Sequence, residues 1–150
     1  MIYFEPVRVP MRKTPDLPIQ MPTRADNGSA GYDLYSRQRS VIEPGRMIMF
    51  WTDIKAHMDG RDVLMLYPRS SMGSMQLMLA NSVGVIDASY FNNPKNDGNI
   101  GLLLYNYGDE PVLIEIGDRI GQAVFVEFKV AQNDSTLKET RDGGFGSSDK

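Results

Sequence analysis

Short apolar runs, cut at frequent intervals by turn residues, set the pattern of this chain. Residues 47–54, 63–67, 100–105, 112–116 and 123–130 have the length and the β-branched, aromatic and aliphatic content of strands. Pro44-Gly45, Asp59-Gly60, Gly108-Asp109 and Gly117-Asp118 punctuate them. This spacing predicts an all-β sandwich or barrel. Residues 70–79 depart from the pattern: Met72, Met75, Leu77, Met78 and Leu79 predict one short helix, with the methionines as core filler.

The two ends read differently from the middle. Residues 6–22 are rich in proline and mixed in charge, which predicts an extended run along the edge of the body. From Gln132 the apolar pattern stops, and the chain closes on Thr140-Arg141-Asp142-Gly143-Gly144-Phe145-Gly146-Ser147-Ser148-Asp149-Lys150. Such a tail cannot pack a core. A disordered terminus would have this composition, and so would a lid whose glycine amides and hydroxyls wrap phosphates while a ring stacks on a base. It is not a Walker loop, because it lacks Gly-Lys-Ser/Thr and a following helix.

Composition narrows the classes. The 150 residues favour one domain over 1–150, large enough to bury a core without staples. Without cysteine there is neither a disulfide nor a thiolate metal site. A net charge of −3 argues against a nucleic-acid footprint, so an anionic ligand would need local cations. No apolar run approaches the ~18 residues of a membrane span, and a basic-then-apolar leader is missing. The expectation is a soluble, cytoplasmic protein with no membrane partner.

Asn81-Ser82-Val83-Gly84-Val85-Ile86-Asp87, with Tyr90 three residues on, carries the strongest chemical signal. A carboxylate at the end of an apolar, glycine-containing strand is suited to act as general base on a water. Tyr90 adds a flat face beside it. An isolated Asp in this place would be turn chemistry. A second candidate is Pro68-Arg69-Ser70-Ser71-Met72-Gly73, where a guanidinium and two hydroxyls precede the predicted helix and could receive a phosphate. Serines there also serve as simple caps.

Taken in order, Ala30-Gly31-Tyr32-Asp33-Leu34, Pro68 to Gly73, Asn81 to Tyr90, Gly117-Asp118-Arg119-Ile120-Gly121-Gln122 and Arg141 to Ser148 resemble the five motifs of the trimeric dUTPase family. The resemblance implies a distorted jelly-roll barrel of the β-clip kind with one short helix. It further implies hydrolysis of dUTP to dUMP and pyrophosphate by a homotrimer, with sites between subunits. Residues 132–150 would be a mobile arm closing over a neighbouring subunit's site.

By the same resemblance Asp87 would activate the water that attacks the α-phosphorus, and Tyr90 would lie against the deoxyribose. The backbone of Asn81, Gly84, Val85 and Ile86, with Ile100 and Gly101 facing it, would read uracil. Arg69, Ser70, Ser71 and Gln122 would hold the phosphates together with Arg141, Gly146, Ser147 and Ser148 of a tail whose Phe145 stacks on the base. Asp33 would support the site through a hydrogen bond or a water. Magnesium would bind through the triphosphate and waters, with no direct protein ligand.

Three features depart from the family pattern. Ser89 stands where a second Asp is common, Ser148 stands where Thr is frequent, and residues 91–99 lengthen a hairpin tip expected to be solvated. His57 matches no motif and is expected on the surface. Rival readings are a dCTP deaminase-like or bifunctional relative, which shares the Arg-Ser-Ser segment, and a dUTP-sensing regulator built on the same pocket.

Overall fold

The computed structural model describes residues 1–136. Eleven strands appear in chain order: β1 (Tyr3–Pro6), β2 (Tyr32–Tyr35), β3 (Ser40–Ile42), β4 (Met47–Trp51), β5 (Ile54–His57), β6 (Asp62–Tyr67), β7 (Leu77–Leu79), β8 (Gly84–Asp87), β9 (Gly101–Asn106), β10 (Val112–Ile114) and β11 (Arg119–Glu127). One helix, α1 (Ser70–Ser74), follows β6, and single 3-10 turns form at Val9–Met11 and Ala88–Tyr90. Every strand pair is antiparallel. The sheets are β2-β11-β6-β8, β4-β9-β7, β1-β5 and β10-β3, which gives a jelly-roll-like fold with open sheets. No helix among the described residues is long and apolar enough to cross a membrane.

Alternation explains which faces are buried. Leu64 and Leu66 of β6 point to one side of the sheet, as do Leu102 and Leu104 of β9, and all four are essentially sealed from solvent. Phe50, Ile54, Met72, Leu79 and Ile120 join them in one core. Met72 sits among these residues in the filler role expected of it, with its sulfur accepting the Arg69 N–H at 3.3 Å.

Two predicted elements are corrected. Residues 47–54 form two strands rather than one, because Asp53 takes a left-handed φ of +56° and breaks the run. The predicted helix ends at Ser74: Gln76, at φ +54°, turns the chain, and Leu77–Leu79 then pairs with β9. A Leu-Met-Leu triplet with its two leucines buried obeys the period of a strand, not of a helix. The proline-rich segment is not the extended run expected of it: it turns at Val9–Met11 and again over residues 13–17, and it is fastened to the body. Arg37 donates to the carbonyls of Thr14, Leu17 and Pro18, while Asp53 accepts the amides of Lys13 and Thr14.

The tip at residues 91–99 is only partly solvated, with Asn92, Pro94 and Lys95 exposed. Asn93, Asp97 and Asn99 are buried, and the Asp97 carboxylate meets Lys55 Nζ at 3.0 Å and Arg8 Nε at 2.8 Å. Polar composition suggested exposure, yet these side chains satisfy one another and a buried lysine, which removes the cost of hiding them. His57 is half-buried, with its ring stacked on Tyr3 at 4.7 Å.

Candidate active site

Strand β6 is the spine of the site. Its register places Tyr67 opposite Gln122 of β11, Leu66 opposite Gly84 of β8, and Val63 opposite Asp87. Beyond Tyr67 the chain runs into Pro68, Arg69 and α1. A cleft of about 400 Å³ opens there, lined by Ala30, Gly31, Asp33, Arg69, Ser70 and Gln122 among others.

The polar groups of this cleft are ordered by one another. Arg69 Nε meets Asp33 Oδ1 at 2.7 Å, which fixes the guanidinium plane, and Arg119 Nη1 approaches Asp33 Oδ2 at 3.5 Å. Two cations against one carboxylate leave the cleft locally positive in an acidic protein. Gln122 Nε2 donates to the Pro68 carbonyl at 3.1 Å, and a Cβ at Gly31 would lie 2.4 Å from the Gln122 Oε1. Glycine at 31 therefore makes room for that amide. Ser70 and Ser71 are exposed on α1, a single turn too short for a substantial helix dipole. Phosphate affinity would rest on the arginines and hydroxyls.

Alongside β6 runs β8, at one edge of its sheet among the described residues, with Gly84 towards the cleft and Asp87 at the far end. An edge strand turns part of its N–H and C=O groups away from its neighbour, where they can read another molecule. Gly84 is pressed onto the core, since a Cβ there would come within 2.9 Å of Leu66. Ile86 is buried, whereas Val85 is 59% exposed and Asn81 sits in an exposed turn whose Ser82 has φ +64°. Asp87, half-buried, closes the strand and opens the 3-10 turn Ala88–Tyr90.

Tyr90 is held firmly. Its hydroxyl donates to the Asn99 carbonyl at 2.9 Å and accepts from Asn96 Nδ2 at 2.7 Å. Burial pushes the phenol above its ordinary pKa, against the opposing pull of the Asn96 hydrogen bond, so it stays protonated and able to donate. Ile100 and Gly101 lie behind: Ile100 is fully buried, with its amide donating to Ile54 and its carbonyl accepting from Thr52. The main chain of Ile100 is thus turned into the body, and Gly101 packs under Trp51.

Within one chain the predicted residues form two groups. Asp33, Arg69, Ser70 and Gln122 share the cleft. Asp87 pairs with Val63, four positions along β6 from Tyr67, which is ~13 Å at ~3.3 Å per residue. Arg141, Phe145, Gly146, Ser147 and Ser148 lie outside the described residues. Arg119, Asn96 and Asn99 were missed as contributors. Arg119 stood inside a recognised motif, but its partner Asp33 is 86 residues away.

Comparison with known proteins places these features in context. The family model for dUTPase matches residues 18–149. A deoxyuridine 5'-triphosphate nucleotidohydrolase of Lactococcus lactis is 44% identical over 131 residues, covering 86% of this chain and 87% of that protein. The crystal structure of a dUTPase from Streptococcus mutans superposes with a TM-score of 0.76 at 37% identity, covering 87% of this chain and 98% of the other. A dUTPase from phage phi11 of S. aureus, described with a structural Mg(II) ion, shares the fold at a TM-score of 0.70 and 21% identity, covering 93% and 98% of the two chains.

Proposed function

The chain belongs to the dUTPase family and is a dUTP nucleotidohydrolase, and from this premise we propose that its active site is composite, with Asp87 as general base. The observation that carries the reading is the placement of Asp87 at the end of an edge strand, followed three residues on by a tyrosine whose hydroxyl is locked. Asp87 takes a proton from a water as that water's oxygen bonds to the α-phosphorus. The bond from the α-phosphorus to the bridging oxygen breaks, and pyrophosphate leaves from dUMP.

The exposed side of β8, from Asn81 through Ile86, reads uracil by main-chain groups. Cytosine offers an amino donor in place of the O4 acceptor, and a mismatched site of this kind rejects an analogue by ~10⁴ or more. Ile100 and Gly101 back the slot by packing. Tyr90 covers the deoxyribose. The phosphates lie on Arg69, Ser70, Ser71 and Gln122, with Asp33 fixing Arg69, and the tail supplies Arg141, Gly146, Ser147 and Ser148 while Phe145 stacks on the base.

An assembly of more than one copy follows from this assignment, and the resemblance to the family makes it a homotrimer. The cleft and Asp87 stand at opposite ends of β6, so one copy's cleft needs another copy's β8 to make a complete site. The cleft suits magnesium that arrives with the substrate, because Arg69, Ser70 and Gln122 offer donors to the phosphate oxygens that carry the ion and Asp33 is already paired with arginine. When bound, the ion neutralises phosphate charge.

Pyrophosphate release tests the reading. dUTP should be turned over, with dTTP, dCTP and UTP each at least ~10²-fold poorer in kcat/KM, and chelation of magnesium should suppress the reaction. Ammonia release from dCTP would instead place the chain with the deaminases. Removing residues 141–150 should lower kcat/KM for dUTP by about 10²-fold, the scale of closure contacts made only around a bound triphosphate. Circular dichroism should be unchanged, and unaltered kinetics would show the tail to be idle.

A further inference from the structure

The loop at residues 91–99 has no role in the chemistry described so far, yet it is built with unusual care. Asn93 Nδ2 donates to the Tyr90 carbonyl at 2.8 Å and to Asn96 Oδ1 at 2.7 Å. Asn93 Oδ1 accepts the amides of Lys95 and Asn96 at 3.0 and 3.1 Å, and Asn96 Oδ1 accepts the amide of Gly98 at 3.1 Å. Asn96 is thereby oriented so that its Nδ2 reaches the Tyr90 hydroxyl. Gly98 completes the curl at φ +85°, where a Cβ would stand 2.9 Å from the Tyr90 carbonyl. No other residue fits there without strain.

The loop is also bolted to the body. Asp97 accepts from Arg8 N and Nε, both at 2.8 Å, and from Lys55 Nζ at 3.0 Å. Lys55 in turn meets Glu5 at 3.1 Å. Asn99 exchanges two hydrogen bonds with Asp53, at 2.9 and 3.0 Å, while its carbonyl takes the Tyr90 proton. A tyrosine gripped at both its carbonyl and its hydroxyl cannot swing about χ1, so the plane of its ring is fixed.

We infer that Asn96 is a positioning residue: by holding the Tyr90 hydroxyl it keeps the ring at the height that admits a 2′-methylene and rejects a 2′-hydroxyl. The inference rests on the proposed placement of Tyr90 over the sugar. It assigns the lengthened loop to sugar discrimination, a property the loop exerts without touching substrate. A ring freed to tilt would relieve the clash with ribose while still covering deoxyribose.

The test is the ratio of kcat/KM for dUTP to that for UTP, measured on the full-length protein with melting temperature alongside. Asn96→Ala should lower the ratio about five- to tenfold, the scale of one hydrogen bond, chiefly by raising kcat/KM for UTP. Tyr90→Phe removes this bond together with the one to the Asn99 carbonyl and should lower the ratio at least as much, and Asn96→Ala added to Tyr90→Phe should lower it no further. A merely structural loop would change melting temperature and leave the ratio alone. If Tyr90→Ala collapses the ratio but Asn96→Ala leaves it at wild type, the positioning role of Asn96 is overturned, whatever Tyr90→Phe does, and Tyr90 keeps its place. If Tyr90→Ala also leaves the ratio unchanged, the placement of Tyr90 itself fails and the inference falls with it. Should Asn96→Ala not fold, Asn96→Ser, whose shorter side chain falls short of the Tyr90 hydroxyl, decides in its place.

Discussion

Asp87→Asn should lower kcat for dUTP by about 10³-fold, within the ~10²–10⁴ range of general-base contributions, while affinity for a non-hydrolysable dUTP analogue stays within about threefold. The amide has the size and shape of the carboxylate but cannot take a proton. The fold should tolerate it because Asp87 is held in β8 by main-chain register with Val63, which the substitution leaves intact. Titration calorimetry with the analogue and single-turnover hydrolysis separate the two quantities. Turnover near wild type would mean that another group takes the proton. Loss of both binding and turnover would mean that Asp87 is chiefly a ligand.

Much of this site was legible in the sequence because it depends on local order. Gly84-Val85-Ile86-Asp87 alternates as a strand does, and a single short turn carries the chain from Asp87 to Tyr90, so the backbone order of this stretch followed from periodicity. The core strands followed from the same period of two. What escaped was decided across the fold. Asp53 looked like the tail of an apolar run, but its φ of +56° and its five hydrogen-bond donors come from residues 13, 14, 37 and 99. Leu77–Leu79 sits beside a methionine-rich turn and took on its helical colour, although its pairing with β9 overrides that local preference. The loop at 91–99 misled through composition: Asn, Lys and Asp read as solvated unless one knows that Lys55 waits beneath them, 42 residues away from Asp97. Asp33 was recognised, yet its two arginine partners only become visible when β2, β6 and β11 lie side by side.

Arg37→Ala should destabilise the protein by about 3–5 kcal/mol at neutral pH, the cost of breaking a buried ion pair from one side. Arg37 and Asp53 are both sealed from solvent and meet at 3.1 Å. Without the guanidinium, the carbonyls of Thr14, Leu17 and Pro18 lose their donors together with Asp53. Arg37→Lys should recover little of this, because an ammonium cannot reproduce a planar fork that serves five acceptors in different directions. Burial opposes the charged form of Asp53, but the amides of Lys13 and Thr14 and the side chains of Thr14 and Asn99 outweigh it and hold the carboxyl below its ordinary pKa. A depressed carboxyl stabilises the fold above its unfolded pKa, and that stabilisation is lost as pH falls through the folded value. The wild type should therefore weaken below about pH 4. The deficit of Arg37→Ala should narrow over the same range, since a protonated Asp53 no longer needs a cation. Urea unfolding at pH 7 and near pH 3 measures both effects, and a difference under about 1 kcal/mol at pH 7 would show the pair to be dispensable. The consequence extends to catalysis, because Asp53 also fixes Asn99, whose carbonyl receives the Tyr90 hydroxyl. In molecules of Arg37→Ala that remain folded, the preference for dUTP over UTP should fall as well, which ties the charge buried beneath the amino-terminal segment to the ring over the sugar.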